Sequence, residues 1–419
     1  MLSEREFSSS EDSESEDSQS SSQYHRKNKK WSKSSSSARS NAKTPFKYLA
    51  TVYEGHKKTI YGVAFSPYLT VNPHFATVGE NRVSIYAIAK DGNGVRLLRS
   101  FHDSAKNESF FAICWGYDTE NDVHVVIAGG NRGIIRVINV VTGELVNSLI
   151  GHGDAVNDVR VFPNDSMIVA SASKDFTARI WNIHNSACLA ILGGVEGHLD
   201  QVISVDFDAS SEYLASASMD HTIKLWYVGK GSGVDRLVEQ SKADLKVNYG
   251  FSPLLRNLIQ LVDFPAEIHY PRCCTRDIHT NYVDCVRIFH RLIFSKSTEN
   301  EIVLWKFGDF DDMLAGQGNK LKTETCVIHF RQLKLPETNM WYIKFEIDPL
   351  EKYLVCGNQK GEIHVWEINN GSLPSVKSNY VLRMKDVWCT VRQVAFSPCG
   401  QHMIAVADDA SISRFIRQV

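Results

Sequence analysis

The sequence GHGDAVNDVRVFPNDSMIVASASKDFTARIWNI, from Gly151 to Ile183, returns as GHLDQVISVDFDASSEYLASASMDHTIKLWYV, from Gly197 to Val228, and this repeat decides the fold. Each copy begins with Gly-His, passes through an alternating apolar run, a turn and a run of Ala and Ser, and ends in an apolar run that closes on Trp. Alternation of apolar and polar residues over short runs bounded by turns is typical of β-strands. The two copies therefore predict repeated groups of short strands.

The same skeleton continues through the rest of the chain with weaker marks. Its third strands are expected to end at seven positions: Tyr86, Ile138, Trp181, Trp226, Trp305, Trp366 and Phe415. The two shortest spacings between these positions match the roughly 40–45 residues of a four-stranded WD-repeat blade. Over about nine tenths of its length the chain resembles the WD-repeat family. Seven units predict an all-β fold, a seven-bladed WD-repeat β-propeller.

The two ends of the chain are expected to close this ring. Phe415 ends the seventh third strand, and too few residues follow it to form an outer strand. The segment Pro45 to Val52, which precedes the first Gly-His, has the pattern of a strand. Because an open strand edge invites aggregation, we predict that this segment supplies the missing outer strand of the last blade.

Two regions depart from the repeat. We expect a disordered tail over residues 1–44 and the propeller over residues 45–419. The tail is rich in Ser, acidic in its first half and basic in its second, and it cannot bury enough apolar surface to offset its ordering entropy. It is either a solvated tail or a functional one, phosphorylated on Ser and able to touch nucleic acid or direct nuclear import.

The second irregular region is an insertion between the fourth and fifth units, at about residues 229–275. A loop of this length in a compact domain is usually functional or disordered. It either packs on the flank of the propeller or helps to frame a groove for a partner.

Composition excludes several classes of protein. The chain has 419 residues, of which 46 are basic and 48 acidic, and a formal net charge of −2, so no global charge draws it to nucleic acid or to an anionic membrane. Its nine Cys include no CxxC pair, which favours reduced thiols over a zinc site or a disulfide framework. No apolar run reaches the roughly 18 residues of a membrane span, and no segment has the pattern of a signal peptide. We expect no metal, no cofactor and no membrane partner.

Ser, His and Asp recur in the two clear copies, so an enzyme has to be weighed against a structural network. The first copy carries His152, Asp175 and Trp181, and the second carries His198, Asp220 and Trp226. A constellation that recurs from blade to blade is typical of a hydrogen-bonded network that ties each blade together, whereas an active site would occur once. The chain has no GxSxG, P-loop or dinucleotide fingerprint. We therefore expect no enzyme and no small-molecule substrate.

Aromatic residues stand where the first strand of a blade begins. Tyr61 follows the first Gly-His, Phe110 and Phe111 open the second unit, and Trp341 and Tyr342 open the sixth. First-strand starts lie near the central channel on one rim of a propeller, so these rings could converge there. A cup of rings suits a methylated ammonium, because each methyl lowers the cost of leaving water while the ring faces attract the charge. The alternative is that the rings only pack at the strand starts.

Several stretches are more specific than the WD pattern. They include NRGIIRVIN (Asn131 to Asn139), GGVEGH (Gly193 to His198), TRDIHTNYVDCVR (Thr275 to Arg287), WYIKF (Trp341 to Phe345), VRQVAFS (Val391 to Ser397) and DDASI (Asp408 to Ile412). Together they resemble the extra sex combs / embryonic ectoderm development family, the WD-repeat subunits of Polycomb repressive complex 2. The resemblance runs along the whole expected propeller.

This resemblance implies a non-catalytic protein of the nucleus. The family binds the lysine methyltransferase enhancer of zeste along one propeller face, in a complex that also holds a suppressor of zeste subunit and acts on the nucleosome. On the other face an aromatic cage receives the trimethyl-lysine of the histone 3 tail. Occupancy of the cage stimulates the methyltransferase allosterically and maintains gene silencing. The alternative is a generic WD-repeat adaptor without methyl-lysine binding, such as a ubiquitin-ligase substrate receptor.

The resemblance also assigns residues by motif. The cage positions fall on Tyr61, Phe111, Trp341 and Tyr342, and a family Arg beside the cage falls on Arg392. Tyr61 and Phe111 stand where the family has Phe and Tyr, so both rings remain while one hydroxyl moves. The last third strand has Ser413 and Phe415 where the family has a pair of Trp. This loss of ring area is expected to weaken the final blade by about a few kcal/mol.

Overall fold

The computed structural model describes residues 44–68, 72–89, 94–247, 265–308, 327–368 and 372–418. The expected tail lies outside these ranges except for Thr44, and so does the apolar stretch 254–264 of the expected insertion. Within the described ranges, no helix is long and apolar enough to cross a membrane. The eight cysteines in the same ranges are all free thiols, which agrees with the expectation of reduced Cys.

Strand pairing groups the strands into seven sheets, which are the seven blades of a β-propeller. The first strands of the blades are β2 (Gly62–Phe65), β6 (Phe110–Asp118), β10 (Val156–Phe162), β14 (Val202–Phe207), β19 (Val283–Phe289), β23 (Phe345–Ile347) and β27 (Val391–Phe396). The second strands are β3 (His74–Gly79), β7 (Val123–Gly130), β11 (Asp165–Ser173), β15 (Tyr213–Ser218), β20 (Leu292–Ser297), β24 (Tyr353–Gly357) and β28 (His402–Ala407). The predicted fold class, a seven-bladed propeller, is confirmed.

Each blade continues outward through a third and a fourth strand. The third strands are β4 (Arg82–Ile88), β8 (Ile135–Asn139), β12 (Ala178–Asn182), β16 (Ile223–Tyr227), β21 (Glu301–Phe307), β25 (Glu362–Glu367) and β29 (Ser411–Arg417). The outer strands are β5 (Val95–His102), β9 (Leu145–Leu149), β13 (Cys188–Leu192), β18 (Cys273–Thr275), β22 (Val327–Lys334), β26 (Tyr380–Arg383) and, in the last blade, β1 (Phe46–Tyr53). All seven predicted third-strand positions lie in third strands.

The core is divided among the seven interfaces between neighbouring blades. Seven buried apolar clusters fill these interfaces, and each combines residues from two adjacent blades. Every cluster contains one of the seven third-strand positions; Trp226, for example, packs among residues of the third and fourth blades. The repeated large side chain is therefore the residue that joins each blade to its predecessor, and burial of such a side chain is worth roughly 1.5–3 kcal/mol.

The ring closes through the two ends of the chain, as predicted. Strand β1 pairs antiparallel with β29, so the first strand of the chain is the outer strand of the last blade. Thr51 and Ser413 lie opposite each other and their hydroxyl oxygens are 2.7 Å apart. Phe415 is fully buried and meets the Tyr48 ring edge-on, with 5.6 Å between centroids. Both departures in this strand are thus accommodated by partners on β1.

The expected insertion at about residues 229–275 needs a correction. It does not lie between two units, because its last residues form β18, which pairs with β16 as the outer strand of the fourth blade. Ahead of it, α1 (Val234–Val247) packs on β13, and β17 (Ala266–Ile268) adds a fifth strand parallel to β13. The inserted chain therefore interrupts the fourth blade before its last strand. Strand β18 has only three residues, too few for a recognisable alternation.

Candidate functional site

The recurring His, Asp and Trp form one chain of hydrogen bonds in each clear copy. In the third blade, Trp181 Nε1–H donates to Ser171 Oγ at 2.8 Å, and this oxygen lies 2.7 Å from His152 Nε2. His152 Nδ1 lies 2.8 Å from Asp175 Oδ2. The fourth blade repeats the chain through Trp226, Ser216, His198 and Asp220, with distances of 2.8, 2.7 and 3.1 Å.

Electrostatics fit a structural role for these chains. Burial lowers the pKa of His152 and of His198, so both imidazoles are neutral and can donate from Nδ1. Burial opposes ionisation of Asp175 and Asp220, but hydrogen bonds from the His, from a Thr and from the backbone outweigh it and hold the pKa of each carboxyl below its usual range. In these two hydrogen-bond chains the Ser hydroxyl, both imidazole nitrogens and the Asp carboxylate each have a partner. Their polar atoms are therefore used in structural contacts, and none is an activated nucleophile.

Four aromatic residues meet at the start of three first strands. We call Tyr61, Phe111, Trp341 and Tyr342 the aromatic cluster. The ring centroids of Tyr61, Phe111 and Tyr342 are 5.2, 5.6 and 5.9 Å apart, with interplanar angles of 88°, 87° and 68°. The Trp341 ring stands against Tyr342, with 5.8 Å between centroids and 85° between planes. The structure therefore brings all four predicted rings into one group.

Local backbone features aim these rings. Tyr61 immediately precedes β2, and a register shift between Phe110 and Ala112 places Phe111 at a bulge of β6, where a side chain can be redirected. Tyr342 has a φ of 69°, in the left-handed region that a non-Gly residue seldom adopts. This turn separates two neighbouring rings: Tyr342 is 4% exposed, whereas Trp341 is 42% exposed.

Two basic residues flank the aromatic cluster, and an Asp pairs with each. Arg392 lies with its guanidinium carbon 5.7 Å from the Tyr61 centroid, donates to Asp408 Oδ2 at 2.9 Å and donates to the Trp341 carbonyl at 3.2 Å. Lys344 Nζ lies 5.0 Å from the Tyr342 centroid and 2.7 Å from Asp158 Oδ1.

The deepest ring is also fixed by its hydroxyl. Tyr342 donates a hydrogen bond to the carbonyl of Asn157, on the first strand of the third blade. Burial holds the pKa of Tyr342 well above its ordinary value, so the phenol stays neutral. The most deeply buried ring of the cluster, Tyr342, is therefore neutral, and its hydroxyl links the sixth blade to the third.

Sequence reasoning named the rings and Arg392, but it missed the residues that hold them. Lys344 and Asp408 both lie inside quoted motifs, WYIKF and DDASI, so a signal for them existed. Asp158 and Asn157 gave no signal, because they reach the cluster from a blade far away in sequence.

A surface cavity of 510 Å³ adjoins the aromatic cluster at Tyr61. Its other lining residues are Lys58, Thr59, Glu80, Asn81, Lys106, Asn107, Glu108 and Ser109. Glu108 is buried, and burial raises the pKa of its carboxyl despite hydrogen bonds from Ser109 and Arg132. Lys58 and Lys106 are exposed beside the rings, whereas Glu108 is closed off from solvent.

Seven blades, with the Trp, Ser and His chain in the two clear copies and an aromatic cluster where three first strands begin, define the class as a WD-repeat β-propeller protein. The WD domain, G-beta repeat model matches residues 143–182 and 187–227, the two clear copies.

Full-length comparison identifies the family. The chain is 36% identical to the Polycomb protein esc of Drosophila melanogaster over 380 residues, which cover 90% of this chain and 85% of that protein. It is 31% identical to the Polycomb protein mes-6 of Caenorhabditis elegans, over 90% of this chain and 92% of that one. The chain belongs to the esc family of Polycomb proteins, which are non-catalytic WD-repeat proteins of chromatin regulation.

Solved structures share the fold. A chain of the Chaetomium thermophilum Polycomb repressive complex 2 superposes with a TM-score of 0.72 at 21% identity, over 89% of this chain and 98% of that one. A structure of the same complex with H3K27me3 and H3K27M gives a TM-score of 0.72 at 20% identity, with the same coverage.

Proposed function

We propose that this protein is the WD-repeat subunit of a Polycomb repressive complex 2 and reads trimethyl-lysine on the histone 3 tail. In this role it binds the methyltransferase enhancer of zeste, works beside the suppressor of zeste subunit, and brings the complex to nucleosomes in the nucleus. Reading of the mark stimulates methylation and maintains silencing. Two findings support this proposal. The chain belongs to the esc family, and it shares its fold with a chain in a structure of Polycomb repressive complex 2 bound to H3K27me3.

The observation that carries the proposal is the geometry of the aromatic cluster. Three rings whose planes stand at steep angles, with centroids 5.2–5.9 Å apart, fit three walls that meet at a corner. A point facing all three walls then lies about 4 Å from each centroid, within the roughly 6 Å over which a cation is attracted to a ring face. Each such contact is worth about 0.5–2 kcal/mol. The half-exposed Trp341 adds a fourth wall that a ligand can reach.

The surroundings of the cluster favour a peptide over a free amine. Arg392 presents its guanidinium at the rim, where it can meet peptide carbonyls. The neighbouring cavity offers the exposed Lys58 and Lys106 to residues next to the methylated one. Extended peptides are commonly held in this way, with one anchoring side chain and weaker contacts beside it.

Stimulation of a methyltransferase needs a second site and a coupling free energy between the two sites. We assign the second site to a groove on the opposite propeller face, which receives an extended segment and helix of enhancer of zeste.

The proposal is tested by titrating a trimethyl-lysine histone 3 peptide against the wild type and Trp341→Ala. The variant is expected to bind at least tenfold more weakly, because it loses a ring wall. Trp341→Phe keeps a ring and should retain most of the affinity. Tyr270→Ala is a matched control, since Tyr270 is 51% exposed and precedes the outer strand β18 of the fourth blade. Equal binding by the wild type and Trp341→Ala would contradict the role of the cluster.

The alternative, a WD-repeat adaptor such as a ubiquitin-ligase substrate receptor, is separated by partner capture. The full chain should co-purify with a homologue of enhancer of zeste, and Trp341→Ala should do so equally well because the two sites are distinct. Failure of the wild type to co-purify would rule out the scaffold role.

A further inference from the structure

The fifth blade carries an altered form of the hydrogen-bond chain. Trp305 Nε1–H donates to Ser295 Oγ at 2.9 Å, and this oxygen lies 2.7 Å from His279 Nε2, as in the third and fourth blades. Beyond the His the fifth blade differs. Glu299 replaces the Asp six residues before Trp, and Glu301 replaces the Thr four residues before it.

The replacement leaves one nitrogen of a buried imidazole without a hydrogen-bond partner. His279 Nδ1 lies 3.8 Å from Glu299 Oε2, compared with 2.8 and 3.1 Å for the matching pairs in the third and fourth blades. The His279 side chain has no exposed surface, and its Nδ1 has no partner among the described residues. A buried polar atom in this state costs about 1–3 kcal/mol.

Glu301 also replaces a hydrogen-bond donor of the other blades with an acceptor. In the third and fourth blades, Thr177 and Thr222 donate their hydroxyls to Asp175 and Asp220 at 2.6 Å. In the fifth blade a second carboxylate stands in the place of that donor. The ligand atoms of His279, Glu299 and Glu301 all lie within 4.8 Å of one another.

Surrounding contacts hold these groups in place. Thr280 donates through both its backbone N–H and its hydroxyl to Glu299, and the Ser297 hydroxyl donates to it at 3.0 Å. Gln332 donates to Glu301 at 3.1 Å. Both carboxylates are partly exposed, which provides a path from solvent.

We propose that His279, Glu299 and Glu301 bind a divalent transition-metal ion, with zinc as the best match. One imidazole nitrogen and two carboxylate oxygens are borderline-soft and hard donors that suit zinc, and water completes a four-coordinate shell. Zn–N and Zn–O bonds of about 2.0–2.2 Å require the three ligand atoms to approach to roughly 3.4 Å of one another. Glu299 is held by Thr280 and Ser297, so the partly exposed Glu301 side chain makes most of that movement as it leaves its hydrogen bond with Gln332.

The protonation state of His279 suits such a ligand set. Burial lowers the pKa of His279 to about 4, so the imidazole is neutral at pH 7 and Nδ1 can offer its lone pair. In that tautomer Nε2–H donates to Ser295 Oγ, which orients the ring as outer contacts do in metal sites.

The inference is tested by zinc titration of the full chain, with a competing chromophoric chelator and with thermal unfolding as readouts. Glu301→Thr restores the Thr that the third and fourth blades have at this position, while Glu299 stays in place, and the variant should therefore fold. It is expected to lose one equivalent of zinc, or to weaken that equivalent at least tenfold, and to lose the rise in unfolding temperature that zinc gives the wild type. Glu362→Thr is the matched control, because Glu362 holds the same position in the sixth blade.

Free cysteines could also bind the added zinc, and the absorption spectrum of bound Co²⁺ distinguishes thiolate ligands from His and Glu ligands. The wild type loaded with Co²⁺ should lack the thiolate charge-transfer absorption, while its weak visible bands should disappear in Glu301→Thr. Equal zinc stoichiometry and affinity in the wild type and Glu301→Thr would overturn the inference. So would an unchanged cobalt spectrum in the variant.

Discussion

The Ser171 hydroxyl occupies the middle of its blade's hydrogen-bond chain, where it accepts from Trp181 and donates to the neutral His152. Ser216 does the same in the fourth blade, between Trp226 and the neutral His198. A single oxygen thus satisfies a buried indole and a buried imidazole, and its loss leaves both unpaired. The His, Asp and Trp of this hydrogen-bond chain could be predicted from the sequence, because they recur at similar spacing in both clear copies.

Ser171→Ala is therefore expected to lower the free energy of unfolding by about 1–3 kcal/mol, the cost of leaving buried polar groups without partners. Urea denaturation followed by Trp fluorescence measures the change. Ser104→Ala, at an exposed position, should leave the midpoint unchanged. Equal midpoints for Ser171→Ala and the wild type would contradict the account.

The residues behind the aromatic cluster could not be predicted in the same way. Lys344 bonds to Asp158, a residue 186 positions earlier in the chain, and periodicity carries no information on which residues meet across the channel. The four rings could be predicted, because the motifs that resemble the family assign each ring to a numbered residue. Their mutual distances came only from the structure.

Asp158→Asn tests the supporting contact. It leaves the Lys344 ammonium without its buried counter-charge, which is expected to destabilise the fold by about 3–5 kcal/mol. Thermal unfolding measures this effect. Asp154→Asn is the control, because its ion pair with Lys174 is half-exposed and such pairs contribute about 0–1 kcal/mol. A similar small effect for both variants would show that the buried pair does not hold the channel.

At the scale of elements, β1 joins the two ends of the chain. Its Phe46 is fully buried in the cluster between the sixth and seventh blades. The Phe46 ring lies 5.6 Å from Tyr353, and the Arg417 guanidinium lies 5.0 Å from its centroid. The need for an outer strand made this element predictable from sequence. The three-residue strands β17 and β18 were not, because nothing in so short a run distinguishes a strand from a loop.

Phe46→Ala is expected to destabilise the propeller by about 3–5 kcal/mol, the typical cost of removing a buried Phe. Tyr53→Ala, at the 55% exposed end of the same strand, serves as the control. Removal of residues 1–53 should lower the unfolding temperature, whereas removal of residues 1–43 should not. An unchanged unfolding temperature after loss of β1 would disprove closure by this strand.

For the whole molecule, two buried histidines contribute stability that is lost as the pH falls. Burial lowers the pKa of His279 and of His402 to about 4, and Arg414 adds to the effect at His402. The unfolded chain binds protons at these residues below its ordinary pKa of about 6.5, whereas the folded chain does not until about pH 4. The stabilisation that these two histidines provide is therefore complete above pH 6.5 and is lost as the pH drops from 6.5 to 4. The Asp175 and Asp220 contributions are lost only below that window.

We expect the free energy of unfolding to fall by up to about 1.4 kcal/mol per pH unit for each such histidine across that window. Urea midpoints at pH 7.5, 6.0 and 4.5 measure the slope. His402→Gln should reduce it, because Gln does not titrate. The same slope in His402→Gln and the wild type would refute the assignment.

The central claim is that the aromatic cluster reads a methylated cation, and calorimetric titration of one histone 3 peptide in three forms tests it most directly. The forms carry trimethyl-lysine, unmethylated lysine, or the uncharged carbon isostere of trimethyl-lysine. Because recognition combines easy desolvation with attraction between rings and charge, the account predicts that the trimethyl-lysine form binds at least tenfold more tightly than both others. Equal affinity for all three forms would contradict it.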